Sequence, residues 1–270
     1  MVDRTWVHSA RRKPVKIGLT AEVWWEVRAL FKRVNLVVHD AREGVWAGTY
    51  NGHSLRLCLS GMVPSVAHGR VERLLDDFRP DVMISCGLAG ALQPHLVVGD
   101  LIVQSRRPDL VGIAESALQM AGVPFHVGSL VTVSRPVLSP VDRRALAERT
   151  NAIAVDMESQ TIAGFCHERA IPCLALKGVS DGIDDDLTPI LGGFEIVDIP
   201  RIALRVLMRP GTWGLAARLA RSSYRSATHL GKGLCAVVSQ LPDSIASDGA
   251  ARPQHKAPDD LVPRGHLGRI

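Results

Sequence analysis

The sequence predicts an α/β domain in which helices cover both faces of a largely buried sheet. Three observations lead there. Between Val15 and about Ser180, short apolar runs alternate with amphipathic stretches, the pattern of strands connected through helices. Some runs, VMISC (82–86) above all, are continuously apolar, as in strands buried on both faces. The chain has 270 residues, 46% hydrophobic and 22% charged, ample for a sizeable core at ~150 residues per domain.

The elements follow in order. VKIGL (15–19) is the first strand, and a helical pattern runs from Glu22 to Arg33. VWAGTY (45–50) and SLRLCLS (54–60) make a hairpin, because Asn51 and Gly52 between them both tolerate positive φ. Pro64 to Phe78 has helical spacing, with Val66, Val71, Leu74 and Leu75 on one face. VMISC, DLIVQ (100–104), HVGSLVTV (126–133) and CLALKGVS (173–180) are further strands, with helices over 141–149 and 157–169 among them. No fixed-period repeat occurs.

After Asp198 the character changes. From Ile199 to Leu241 there is no Asp or Glu, while Arg201, Arg205, Arg209, Arg218, Arg221, Arg225 and Lys232 recur. This divides the chain into a main α/β domain (15–208), a basic helical extension (209–241) and a polar tail (242–270) expected to be disordered. LVPRG (261–265) within that tail resembles a protease-cleavable linker, although His266 replaces the usual Ser. Basic amphipathic helices lie on anionic bilayers, so 199–241 is a candidate for peripheral membrane contact. A helix packed on the core explains the same pattern equally well over 212–232 and better over 200–208.

Composition excludes several classes. No apolar run approaches the ~18 residues of a spanning helix, and Met1 to Pro14 lacks the apolar stretch of a secretory leader. Five scattered cysteines without a CxxC fit a reduced, cytoplasmic compartment. The net charge of +5 speaks to solubility rather than fold. An aromatic fraction of 4% argues against a base-stacking nucleic-acid binder. There is no GxxxxGK[ST], no HExxH and no metal-ligand spacing, so neither metal nor cofactor is expected. His39, His53, His68, His95, His126 and His167 read as surface or core residues, and Asp181, Asp184, Asp185 and Asp186 lack calcium-loop spacing.

The segment 154–182, AVDMESQTIAGFCHERAIPCLALKGVSDG, carries the chemistry. A strand delivers Asp156, Met157 and Glu158 to the point where a helix begins, and the next strand delivers Ser180 and Asp181 to the corresponding edge. Open α/β sheets bind ligands at such carboxyl ends. Two carboxylates there suit sugar hydroxyls and proton donation to a leaving group. They equally suit a helix cap and a loop start, and pattern alone does not separate the two.

This segment resembles the V-[DE]-M-E-[SA]…S-D signature of the purine nucleoside phosphorylase and methylthioadenosine/S-adenosylhomocysteine nucleosidase superfamily. ISCGLAGALQPHLVVGDLIV (84–103) resembles its G-x-A-G-x-L…VGD element, and YNGHSLRLCLSGMVPSVA (50–67) its N-G…SG…A hairpin and helix entry. The resemblance implies a three-layer α/β/α fold around a mixed sheet that partly closes into a barrel, no cofactor, and a homo-oligomer. It gives Glu158 the ribose hydroxyls, Met157 the sugar wall, and Asp181, helped by Ser180, the protonation of purine N7. Gly87, Leu88, Ala89 and Gly90 become the backbone approach to the substrate, Met62 a pocket residue, and Glu22 the group that orients attacking water. Trp24 and Trp25 are further candidates for the pocket wall.

The departures bear on the nucleophile. Phosphorylases of the family place an Arg where Ser85 stands and a hydroxyl where Leu88 stands, so water is expected rather than phosphate as co-substrate. The short stretch from Thr132 to Ala154 and the basic tail resemble the hopanoid-associated branch, thought to remove adenine from adenosylhopane. Alternatives are a phosphate-dependent purine nucleoside phosphorylase, a methylthioadenosine/S-adenosylhomocysteine nucleosidase, and a non-catalytic nucleoside- or lipid-binding protein of the same fold.

Overall fold

The computed structural model describes residues 14–61, 64–194 and 199–246. Met62 and the tail beyond 246 lie outside the described residues. Ten strands form one mixed sheet: β1 (Lys16–Ala21), β2 (Val37–Asp40), β3 (Val45–Tyr50), β4 (His53–Leu59), β5 (Val82–Ala91), β6 (Leu101–Ser105), β7 (Phe125–Val127), β8 (Leu130–Thr132), β9 (Ala154–Asp156) and β10 (Cys173–Asp181). The order is β2-β3-β4-β1-β5-β10-β6-β7, and the end of β5 also pairs with β9, which carries β8. β1, β4, β5 and β10 run parallel, which brings their carboxyl ends to one edge. No ladder joins β7 to β8 among the described residues, so the two branches leaving β5 curl toward a barrel without closing it.

Helices cover both faces, as expected. On one side α2 (Pro64–Phe78) and α5 (Ser159–Glu168) bury Val71, Leu74, Leu75 and Ile162 with Met83 of β5. On the other, α1 (Arg28–Phe31), α3 (Pro108–Met120) and α8 (Trp213–Gln240) pack Leu30, Leu118, Leu230, Leu234 and Val238 on Ile17, Ile84 and Leu176. α4 (Pro140–Thr150), α6 (Thr188–Leu191) and α7 (Ile199–Met208) complete the chain. Asn51 and Gly52 take positive φ (48° and 83°), and the hairpin register places Tyr50 opposite His53.

Four expectations need correction. The helix read over 22–33 shrinks to the four residues of α1, and the turns before it place the Glu26 carboxylate where it accepts the N–H groups of Glu22 (3.0 Å) and Val23 (3.3 Å). HVGSLVTV splits into β7 and β8 around Gly128, where a Cβ would stand 2.3 Å from Ile153 Cδ1. β2 and α3 were not anticipated. The extension drawn at 209–241 is half core: Ser226, Ala227, Leu230, Leu234, Val237 and Val238 are buried, while Trp213 and Tyr224 stay exposed. No helix of the described residues is long and apolar enough to cross a membrane.

Candidate active site

The carboxyl ends of β1, β5, β9 and β10 converge on a cavity of roughly 180 Å³. It brings together Glu22, Gly87, Leu88, Ala89, Gly90, Met157, Glu158, Ser180 and Asp181. Trp24 is 59% exposed, and neither it nor Trp25 lines the cavity. Four charged groups complete it: Glu26, Asp156, Lys177 and Arg143. Of these, the sequence reading gave the site only Asp156.

Each position has a local cause. Gly87 sits at φ +143°, and a Cβ on it would lie 3.1 Å from Lys177 Nζ and 3.7 Å from both Glu26 carboxylate oxygens. Gly90 faces Asp181 across a β-bulge between Val179 and Asp181. A Cβ at Gly90 would stand 3.0 Å from Asp181 Oδ2. Asp156 caps the entry to α5, accepting the Ser159 N–H at 3.0 Å and the Thr132 hydroxyl at 2.7 Å. Asp181 has both oxygens held, one by the Ser180 hydroxyl and the other by the buried Arg143 guanidinium. Arg143 also donates to Gly182 O at 2.8 Å and Val137 O at 3.1 Å, tying α4 and the loop before it to the acid.

Lys177 is 1% exposed and donates to Cys86 O at 3.0 Å. Its ammonium lies 3.2 Å from Asp156 and 3.4 Å from Glu158. Burial opposes its charge, but Glu158, Asp156 and Glu26 outweigh burial and hold it protonated beyond the ordinary lysine range. The carboxylates bear the cost of crowding. Burial first, then the charge of Glu158, push Glu26 up to about 7. Burial, the charge of Glu158 and a hydrogen bond shared with it push Glu22 up to about 10. At neutral pH Glu22 is therefore a hydrogen-bond donor to Glu158, while Glu26 is poised to gain or lose a proton.

The rest of the lining is apolar: Val133, Pro136, Val137 and Leu138 from the loop before α4, and Leu187 and Leu191 around α6. No aromatic ring lines the cavity among the described residues. Lys177 had a legible signal, a cation inside the apolar run of β10. Glu26 was absorbed into a helical pattern, and nothing in the sequence singles out Arg143.

Residues 16–107 and 105–191 match the family model described as the phosphorylase superfamily. The chain belongs to that superfamily. A 5′-methylthioadenosine/S-adenosylhomocysteine nucleosidase of Buchnera aphidicola (subsp. Acyrthosiphon pisum) is 26% identical over 204 residues, 64% of this chain and 88% of the relative. Among solved structures, an S-adenosylhomocysteine nucleosidase from Streptococcus pyogenes, in complex with 5-methylthiotubericidin, aligns with a TM-score of 0.67 at 18% identity, over 85% of this chain and 98% of that one. The futalosine hydrolase of Helicobacter pylori aligns at 0.66 and 16%, over 84% and 98%. At these identities the structural likeness is one of fold, and it bears out the three-layer α/β architecture for this member of the phosphorylase superfamily.

Proposed function

We propose that this chain hydrolyses the N-glycosidic bond of a 5′-substituted adenosine and releases adenine. The observation that supports water as the nucleophile is the charge of the pocket. Glu22, Glu26, Asp156 and Glu158 surround the Lys177 ammonium, and the other lining cation, Arg143, is committed to Asp181 and two carbonyls. A phosphate would enter among carboxylates with no uncommitted donor to meet it, and Leu88 offers none. Water meets no such repulsion, and the same carboxylates favour the positive charge that develops on the ribosyl group as the base departs.

The roles follow from chemistry. Glu158, steadied by Lys177, accepts hydrogen bonds from the ribose hydroxyls, and Met157 walls the sugar. Asp181, oriented by Ser180 and Arg143, takes up a proton from solvent and passes it to N7 as the bond from C1′ to N9 breaks. Water oxygen bonds to C1′ and its proton passes to a carboxylate. Of the two candidates, Glu26 at about 7 is matched to that task at neutral pH, whereas Glu22 at about 10 is already protonated and serves as the donor to Glu158. The role first given to Glu22 therefore moves to Glu26.

For the substrate we favour adenosylhopane. The apolar wall from Val133 to Leu191 suits an apolar 5′ group, and Arg205 ties α7 to it through Ile190 O and Gly192 O. α7 exposes Leu204, Leu207 and Met208 beside Arg201 and Arg209, a surface suited to the cytoplasmic face of an anionic bilayer. Adenine release from adenosylhopane and from methylthioadenosine, each with and without phosphate, tests this. Release only from methylthioadenosine refutes the lipid substrate, and no release from either refutes the enzyme. Light scattering checks the homo-oligomer.

A further inference from the structure

We propose that Thr20 and Ser85 hold an internal water against the underside of the Glu26–Lys177 cluster and act through it as positioning residues for Glu26. The role rests on Glu26 as the proton acceptor; the water site itself does not.

Both side chains are fully buried, at 0% exposure, and neither hydroxyl oxygen finds a hydrogen-bond partner among the described residues. Buried hydroxyls left unanswered by protein are rare, and ordered internal water is their usual partner. The two are neighbours: Thr20 of β1 is the register partner of Ser85 of β5. Cys58 of β4 flanks Thr20 and Ala175 of β10 flanks Ser85, so four small side chains stand in one row across the sheet. A row of four short side chains suits a water, and the two hydroxyls supply the polarity it needs.

The next row on the same face, two residues along the strands, contains Gly87 and its partner Lys177. The Glu26 carboxylate lies over Gly87, within 3.7 Å of where a Cβ would stand. Two strand residues rise about 6.6 Å; one water joined by two hydrogen bonds of ~2.8 Å spans about 5.6 Å of that, and the reach of the side chains covers the rest. The other groups around Glu26 are Lys177 of β10, Glu158 and Asp156 at the β9–α5 junction, Glu22 after β1, and the thiol of Cys86. A neutral donor from below favours ionised Glu26 without adding charge. The hydroxyls also leave open the position from which a longer side chain would fill the floor of the pocket.

A crystal structure of the native protein at about 1.5 Å or better gives the first readout. A water peak within hydrogen-bond distance of both Thr20 Oγ1 and Ser85 Oγ is expected; hydroxyls turned to main-chain carbonyls with no water between them would overturn the site. The second readout is the pH profile of kcat/KM for Thr20→Val, Ser85→Ala and the double variant, with Thr20→Ser as the hydroxyl-retaining control. Loss of the water moves the acid limb upward, so kcat/KM of the double variant falls roughly tenfold near pH 6 and returns to the native level only above about pH 9, while Thr20→Ser keeps the native profile. An unmoved limb, or an equal fall at every pH, overturns the positioning role. Full activity of Glu26→Gln would instead refute Glu26 as acceptor and leave the water peak standing.

Discussion

Replacing Glu26 by Gln should make the protein more stable and nearly inactive at once. The buried carboxyl is held at about 7 instead of 4.5. A folded-state value above the unfolded one means that the proton on Glu26 stabilises the fold below about pH 4.5, and that this contribution is lost as pH rises through 7. Above pH 7 the ionised group therefore burdens the fold by up to about 3 kcal/mol at 1.36 kcal/mol per pKa unit. Gln has nearly the same shape, and its carbonyl oxygen can still accept the N–H groups of Glu22 and Val23. The variant should melt higher than the native protein at pH 8, by an upper bound of about 6–12 °C for a chain of this size. The two should melt together near pH 4.5. Activity should fall by about 10²–10⁴-fold, the usual worth of a placed general base. Thermal melts at the two pH values and initial rates of adenine release are the assays. A variant no more stable than native protein at pH 8 would mean that the site imposes no such strain on Glu26, and full activity would remove it from the reaction.

Three further outcomes follow from the same geometry. Asp181→Asn should abolish base release while leaving KM within a fewfold, because the amide oxygen still accepts from Arg143 but the group cannot carry a proton to N7; near-native kcat would take the acid role from Asp181. Gly87→Ala should cripple turnover and lower stability, since a Cβ at φ +143° meets Lys177 Nζ at 3.1 Å; a native kcat/KM would show that the Lys177 cluster tolerates displacement. Leu204→Asp with Leu207→Asp on α7 should weaken flotation with anionic liposomes at low salt and spare activity on a soluble adenosine. Truncation at 212 is no substitute, because it would remove the core residues Leu230, Leu234 and Val238. Native protein that never floats with such liposomes would refute the membrane contact.

Much of this was legible in the residues. The hairpin at Asn51-Gly52, the helix at 64–78 and the strands through VMISC (82–86) and CLALKGVS (173–180) are local consequences of φ preference and apolar period. Glu158 and Asp181 were found as strand-end carboxylates. What stayed hidden depends on contacts between distant segments. β2 is exposed along its length and carries no alternation. The first helix is confined to Arg28–Phe31, and the turns before it carry Glu26 into the site. Arg143 is a basic residue on an otherwise polar helix until α4 docks it beneath Asp181. α8 has the composition of a surface helix, yet Gly231 lets it press against Ala29 and join the core: a Cβ there would stand 2.4 Å from that of Ala29.

The most direct test of water as the nucleophile is the fate of its oxygen. Adenine release from a 5′-substituted adenosine is run in ¹⁸O-enriched water with millimolar phosphate present, and the ribosyl product is weighed by mass spectrometry at early time. The carboxylate-rich pocket predicts a free sugar carrying one ¹⁸O at C1 and a rate indifferent to phosphate. A ribosyl 1-phosphate product, or a rate that rises with phosphate, would contradict it.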